Sequence, residues 1–229
     1  MTILNIETST SSCSAAITID GVAVASRANL EGANHASELP VFVEELLQEA
    51  QSQGWTLDAV ALSQGPGSYT GLRIGASLAK GLCYGLNIPL LPIDTLQVLC
   101  ASLEVEVEDD AILCPMLDAR RMEVYTAFYS PITLQRMGEI EAKIIDETAF
   151  AEQLNQQKIY FFGNGSEKCA GVITSGNAQF VPAIVPHAKY MGKLAEAHST
   201  PLDIKQLAYY EPFYLKEFVA APSHVKGLN

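Results

Sequence analysis

Positive charge is scarce in this sequence. Its 229 residues include 14 Lys and Arg against 26 Asp and Glu, a net charge of −12. Phosphate backbones are gripped by clustered cations, so this balance argues against nucleic-acid binding by the chain alone and against an anionic membrane surface. No apolar run is long enough to span a bilayer. The opening Thr2-Ile3-Leu4-Asn5-Ile6 reads as a strand rather than a secretion signal. Cysteine is sparse, scattered and odd in number: Cys13, Cys83, Cys100, Cys114 and Cys169 form no C-x-x-C pair. Most lie in apolar runs, where cysteine behaves as a small hydrophobe, so a reduced, cytoplasmic setting is expected. The histidines His35, His187, His198 and His224 include no pair four apart. There is no H-E-x-x-H, no acidic cluster to hold a metal and no G-x-S-x-G nucleophile turn.

What is present is apolar and patterned. Hydrophobic residues make up 48% of the chain, enough to core one large domain or two small ones. Residues 3–7, 13–19 and 22–27 read as three strands, the last two joined by the hairpin signal Asp20-Gly21. A polar loop ending at His35 leads to Ser37, a candidate N-cap, with Pro40 in the first turn. Leu39, Phe42, Val43, Leu46, Leu47 and Ala50 then form one apolar face at helical period. A strand over 57–62, a glycine-rich turn, a helix over 70–84, a strand over 88–93 and a short helix from Thr95 follow. This β-β-β-α-β-α-β-α order implies a mixed sheet with helices on its faces.

The acidic stretch 104–110 marks a boundary between an N-terminal α/β lobe, 1–103, and a shorter C-terminal lobe, 111–229. Beyond it the pattern restarts: strands over 112–117 and 124–129 around the turn Asp118-Ala119-Arg120-Arg121, a third over 139–145, a helix over 147–156 and a strand over 159–162. A helix over 187–198 follows, and the tail from 209 wraps the surface. The second half thus repeats the first in abbreviated form.

Two segments could carry chemistry. In Ser63-Gln64-Gly65-Pro66-Gly67-Ser68-Tyr69-Thr70-Gly71, a strand turns through glycines into a helix, a place where backbone amides can cradle phosphate. No Walker lysine accompanies it, and on spacing alone a capped βα turn is favoured. In the following helix, Gly71, Gly75 and Ala79 make a smooth stripe. Glycine inside a helix costs about 1 kcal/mol relative to alanine, so close packing is expected there, either on the Leu39–Ala50 helix or on another chain. Arg73 and Lys80 share one face of the same helix, with solvated charge the default. The second segment, Glu7-Thr8-Ser9-Thr10-Ser11-Ser12, is a hydroxyl-rich turn. Its plain structural role outweighs weak phosphate binding. His35 reads as a local hydrogen-bonder.

Taken together, these residues resemble the TsaB family, the accessory subunits of bacterial tRNA threonylcarbamoyladenosine synthesis. The likeness is carried by Ile6-Glu7-Thr8-Ser9 with Cys13-Ser14, His35-Ala36-Ser37, the block from Gly65 to Gly75, Lys80-Gly81-Leu82, Asp118-Ala119-Arg120 with Glu123-Val124-Tyr125, and Pro212-Phe213-Tyr214-Leu215. It implies a duplicated ribonuclease H-like, actin-like ATPase fold with two mixed-sheet lobes. It also implies a shortened, non-catalytic relative of the catalytic subunit TsaD. That subunit carries H-x-x-x-H after a similar glycine block, where this chain has Thr95 and Leu99.

The resemblance further implies binding to TsaD and to the ATPase TsaE, a homodimer when alone, and contact with tRNA only through the complex. The interface residues expected are Leu39, Phe42, Val43, Leu46, Gly71, Leu72, Gly75 and Ala79. No cofactor is expected to be intrinsic; a nucleotide at the complex interface is left open. Thr8, Ser9 and Thr10 would be its vestigial contacts, since related ATPases place an Asp where Glu7 stands and a glycine in the turn. The competing readings are a small sugar- or acetate-kinase-like ATPase, a metallopeptidase, and a dimeric binding module with unrelated partners.

Overall fold

Strand β1 (Thr2–Glu7) is buried from Ile3 onward, as befits a strand with helices on both faces. In the computed structural model, which describes residues 1–198 and 200–216 without the His198 side chain, it lies at the centre of the first sheet. Strands β2 (Cys13–Ile19) and β3 (Val22–Asn29) pair antiparallel beside it. Asp20 and Gly21 join them with positive φ at both residues, the twist that a two-residue hairpin requires. Then come α1 (His35–Gln53), β4 (Ala59–Gly65), α2 (Tyr69–Leu86), β5 (Leu90–Asp94) and α3 (Thr95–Ala101). The sheet order is β3-β2-β1-β4-β5, with β4 and β5 parallel to β1. Helices α1 and α2 cover one face through Leu39, Val43, Leu46, Ala76 and Ala79.

The second sheet repeats this plan. Its strands are β6 (Ile112–Asp118), β7 (Glu123–Tyr129), β8 (Arg136–Ile144), β9 (Ile159–Phe162) and β10 (Ala178–Val181). Their order, read from the other edge as β8-β7-β6-β9-β10, matches the first sheet position for position. The helical cover is reduced. The helix expected over 147–156 shrinks to α4 (Ala151–Leu154), because the chain first turns through Phe150 at φ +63, which buries that ring between Phe128 and Phe161. Helix α3 lies between the lobes, with Val98 in the core of the first sheet and Leu96, Leu99 and Cys100 in that of the second.

Two expectations need correction. Helix α1 starts at His35 rather than after Ser37; Asn34 is its N-cap, and the Ser37 hydroxyl donates back to the Asn34 carbonyl at 3.2 Å. Not all of 111–229 belongs to the second lobe. Helix α5 (Met191–His198) and the short turn before it return to the first sheet, where Ala188, Met191, Leu194 and Ala195 cover Ile3, Ala16, Ala59 and Ala61. That face would otherwise be bare, and Leu202 then pairs with Leu90. Helix α6 (Ile204–Tyr209), capped by Asp203 and packed on α2, lies in a stretch to which the sequence pattern assigns no element. Of the tail from 209, the part beyond 216, including His224, lies outside the described residues.

Candidate functional site

The hydroxyl turn after β1 is folded in on itself. Glu7 is fully buried, and its Oε1 accepts from the Ser9 amide at 2.6 Å and the Ser9 hydroxyl at 2.5 Å. Burial pushes the Glu7 carboxyl pKa up, and the bonds from Ser9 act against that shift. Its other oxygen and the buried Ser63 hydroxyl have no hydrogen-bond partner among the described residues. Thr10 Oγ1 and Ser12 Oγ bond to each other at 2.7 Å. Thr8, Ser9 and Thr10 are all buried, although Ser9 and Thr10 edge a cleft described below.

The glycine block closes down on this turn. The Ser68 amide donates to the Ser9 carbonyl at 2.6 Å, and a Cβ at Gly67 would come within 2.8 Å of Ser9 Cβ. At Gly71 it would overlap the Thr8 carbonyl; at Gly75 it would overlap the Thr8 hydroxyl and reach Leu62 Cδ1 at 3.1 Å. The Gly65 amide donates to Thr95 Oγ1 at 3.0 Å, and the Gly71 amide to Ser68 Oγ at 3.2 Å. The amides of Gly65, Ser68 and Gly71 are thus engaged by the chain's own oxygens. The close approach at Gly71 and Gly75 is made by the turn after β1.

Between the lobes runs a cleft of about 660 Å³. Its walls are the hydroxyl turn, the start of α2, the hairpin between β6 and β7, and residues 213–216. Arg120 and Arg121 make that hairpin with φ of +73° and +49°. Asp118 accepts an ion pair from Lys168, and Glu123 one from Lys216. His35 sits at the edge, its Nε2 3.0 Å from the Ser12 carbonyl, the local role expected of it.

The positions matched to H-x-x-x-H are occupied structurally. Thr95 is buried and holds the Gly65 amide, while Leu99 is buried in the core between the lobes. Among the described residues no group of three His, Cys, Asp or Glu side chains could hold a metal ion. The cysteines are all buried; burial pushes the Cys13, Cys83 and Cys114 thiols up to about 12. No helix among the described residues is long and apolar enough to cross a membrane.

A second candidate surface is the outer face of α1 and α2. Of the interface residues expected from sequence, Leu39, Val43, Leu46, Gly71, Leu72, Gly75 and Ala79 are buried in the chain's own core, and only Phe42 is half-exposed. The periodicity had located the inward faces. The outward faces carry Val41, Tyr84 and Leu86, which are 49%, 75% and 48% exposed. Gly81 and Gly85 lie there too, and a Cβ at either would meet nothing within 4 Å. Arg73 and Lys80 are not simply solvated. Arg73 donates to the Tyr69 hydroxyl at 2.6 Å and lies 5.2 Å from its ring, while Lys80 reaches the Ala208 carbonyl at 3.4 Å.

The sequence model of the family described as "TsaD: tRNA N6-adenosine threonylcarbamoyltransferase" matches residues 29–209. The chain is 28% identical over 210 residues to the tRNA threonylcarbamoyladenosine biosynthesis protein TsaB of Bacillus subtilis, covering 89% of this chain and 85% of that one. It is 27% identical over 231 residues to the protein of the same name from Haemophilus influenzae, covering 96% and 95%. Among solved structures, YeaZ from Pseudomonas aeruginosa superposes with a TM-score of 0.76 at 26% identity, covering 93% of this chain and 99% of that one. With two sheets of identical strand order, the architecture is the two-lobed actin-like fold with its second lobe abbreviated.

Proposed function

The chain belongs to the TsaB family of tRNA threonylcarbamoyladenosine biosynthesis proteins, and we propose that in this pathway it is a non-catalytic subunit that binds and supports the TsaD threonylcarbamoyltransferase. The observation that carries the reading is what became of the two positions matched to histidines. Thr95 and Leu99 serve the fold, one as a hydrogen-bond acceptor and the other as core. In the hydroxyl turn, Ser9, Thr10 and Ser12 are bonded within the chain, while Glu7 Oε2 and the Thr8 hydroxyl are buried without a partner among the described residues. A scaffold that has kept its lobes and spent its catalytic positions on stability fits a supporting role. The reaction it would support moves a threonylcarbamoyl group from its adenylate to the adenosine beside the tRNA anticodon.

Docking is assigned to the outer face of α1 and α2. Gly81 lies inside α2 where a Cβ would meet nothing of the chain, so the roughly 1 kcal/mol of helix stability it forfeits has no internal reason, and Gly85 in the last turn is equally open. Val41, Phe42 and Tyr84 give that face apolar surface. The same face would serve a homodimer when the chain is alone, with TsaE joining the complex and tRNA engaged through it in the cytoplasm. Reconstitution tests the proposal: TsaD, TsaE, the adenylate-forming enzyme and tRNA are combined with and without this chain. Modification that depends on the chain is expected. Equal modification without it overturns the reading, and ATP turnover by the chain alone would favour the kinase-like alternative.

A further inference from the structure

Two-lobed proteins commonly set the angle of their cleft by closing around a ligand. Here the mouth of the cleft is crossed by the chain itself. The Phe213 amide donates to the Gln64 carbonyl at 2.7 Å, and the Phe213 carbonyl lies over Gly65, where a Cβ would come within 2.5 Å of it. Gly65 has φ +113°, so both its conformation and its bare α-carbon suit this approach. Next, the Tyr214 ring packs on Tyr69 at 5.0 Å between centroids and a 41° tilt. All of these anchors belong to the first lobe. Two residues later the segment reaches the second lobe, where Lys216 forms an ion pair with Glu123 beside the β6–β7 hairpin.

The opposite side of the cleft is held differently. There α3 is buried between the sheets, and Tyr129 donates to Asp94 at 2.6 Å, with Arg136 also on Asp94 at 3.1 Å. One side is thus a packed hinge, and among the described residues the mouth is bridged by a short segment with a tilted ring contact at one end and an ion pair at the other. We propose that residues 213–216 form a clasp that fixes the opening of the cleft. The lobe angle is then set by the chain's own C-terminal segment, and release of Lys216 from Glu123 is the step that lets the mouth widen. This inference does not depend on which partner the chain serves.

Amide hydrogen exchange on the purified full chain tests it. Lys216→Met removes one end of the clasp, Glu123→Gln removes its acceptor, and Tyr214→Ala removes the other anchor. Each is expected to speed exchange in residues 212–216 and, across the cleft, in 118–125 by about two- to tenfold. Peptides from β1, β4 and β9 should not change. Lys216→Arg should restore slow exchange, and Lys216→Met with Glu123→Gln should be no faster than either alone, because both remove one interaction. Unchanged exchange across the cleft in all three variants overturns the clasp, as does full additivity of the Lys216 and Glu123 variants.

Discussion

Replacing Gly81 by leucine puts a large side chain on α2 at a position where a Cβ meets nothing within 4 Å. The isolated chain should therefore gain stability. Leucine exceeds glycine by about 0.8 kcal/mol in helix propensity, and for a domain of this size that raises Tm by roughly 2–3 °C. Gly75→Ala on the same helix makes the opposite case. Its methyl group would overlap the Thr8 hydroxyl and press on Leu62 Cδ1. Overpacking of this kind costs about 1–3 kcal/mol, against a propensity gain of about 1, so the net change is a loss of up to about 2 kcal/mol. Urea or thermal unfolding of the two variants gives the signs. Titration calorimetry with TsaD supplies the second readout. If the outer face docks the partner, Gly81→Leu should weaken binding at least about tenfold, or 1.4 kcal/mol, while folding better than the parent. A less stable Gly81→Leu would refute the outward orientation of this face. A stable variant that binds TsaD with unchanged affinity would remove α2 from the interface.

Thr95→Val keeps the shape of the side chain but leaves the buried Gly65 amide without its acceptor, a loss of about 1–3 kcal/mol, measurable by denaturant unfolding. Tyr129→Phe removes the hydroxyl bonded to the Asp94 carboxylate and should cost a similar free energy, read as a lower Tm; a shift below 1 °C would mean that Arg136 and the Leu96 amide suffice for Asp94. His187 supplies a pH dependence. Burial, with Lys189 nearby, pushes its pKa down from 6.5 to about 4, and its Nδ1 accepts the Lys189 amide. The unfolded chain therefore takes up a proton first. This stability is fully present above pH 6.5 and is lost progressively as pH falls towards 4; after screening by solvent it amounts to about 1–2 kcal/mol. His187→Gln should flatten that part of the stability profile, and an unchanged slope would assign it to other groups.

Much of the fold could be read without coordinates because it is written in local patterns. The apolar runs of β1 and β2, the Asp20-Gly21 turn, the apolar face of α1 and the restart after the acidic stretch all depend on residues near one another in the chain. Strand β10 escaped notice because its four residues are all half-buried and show no alternation. Helix α6 is only six residues long, and its one buried side chain, Leu207, leaves no apolar period to follow.

The sequence by itself determined that α2 must carry a smooth stripe at Gly71, Gly75 and Ala79, since helical period places those residues on one face. It also determined that Thr95 and Leu99 could not act as a histidine pair. Only the tertiary structure decided what the stripe touches, because period identifies a face and not its neighbour. The neighbour is the turn after β1, more than sixty residues earlier in the chain, which moves the candidate interface to the opposite side of the helix at Gly81 and Tyr84. Packing alone likewise brought α5 back to the first sheet and carried Phe213 and Lys216 across the cleft, through contacts between residues that are remote in sequence.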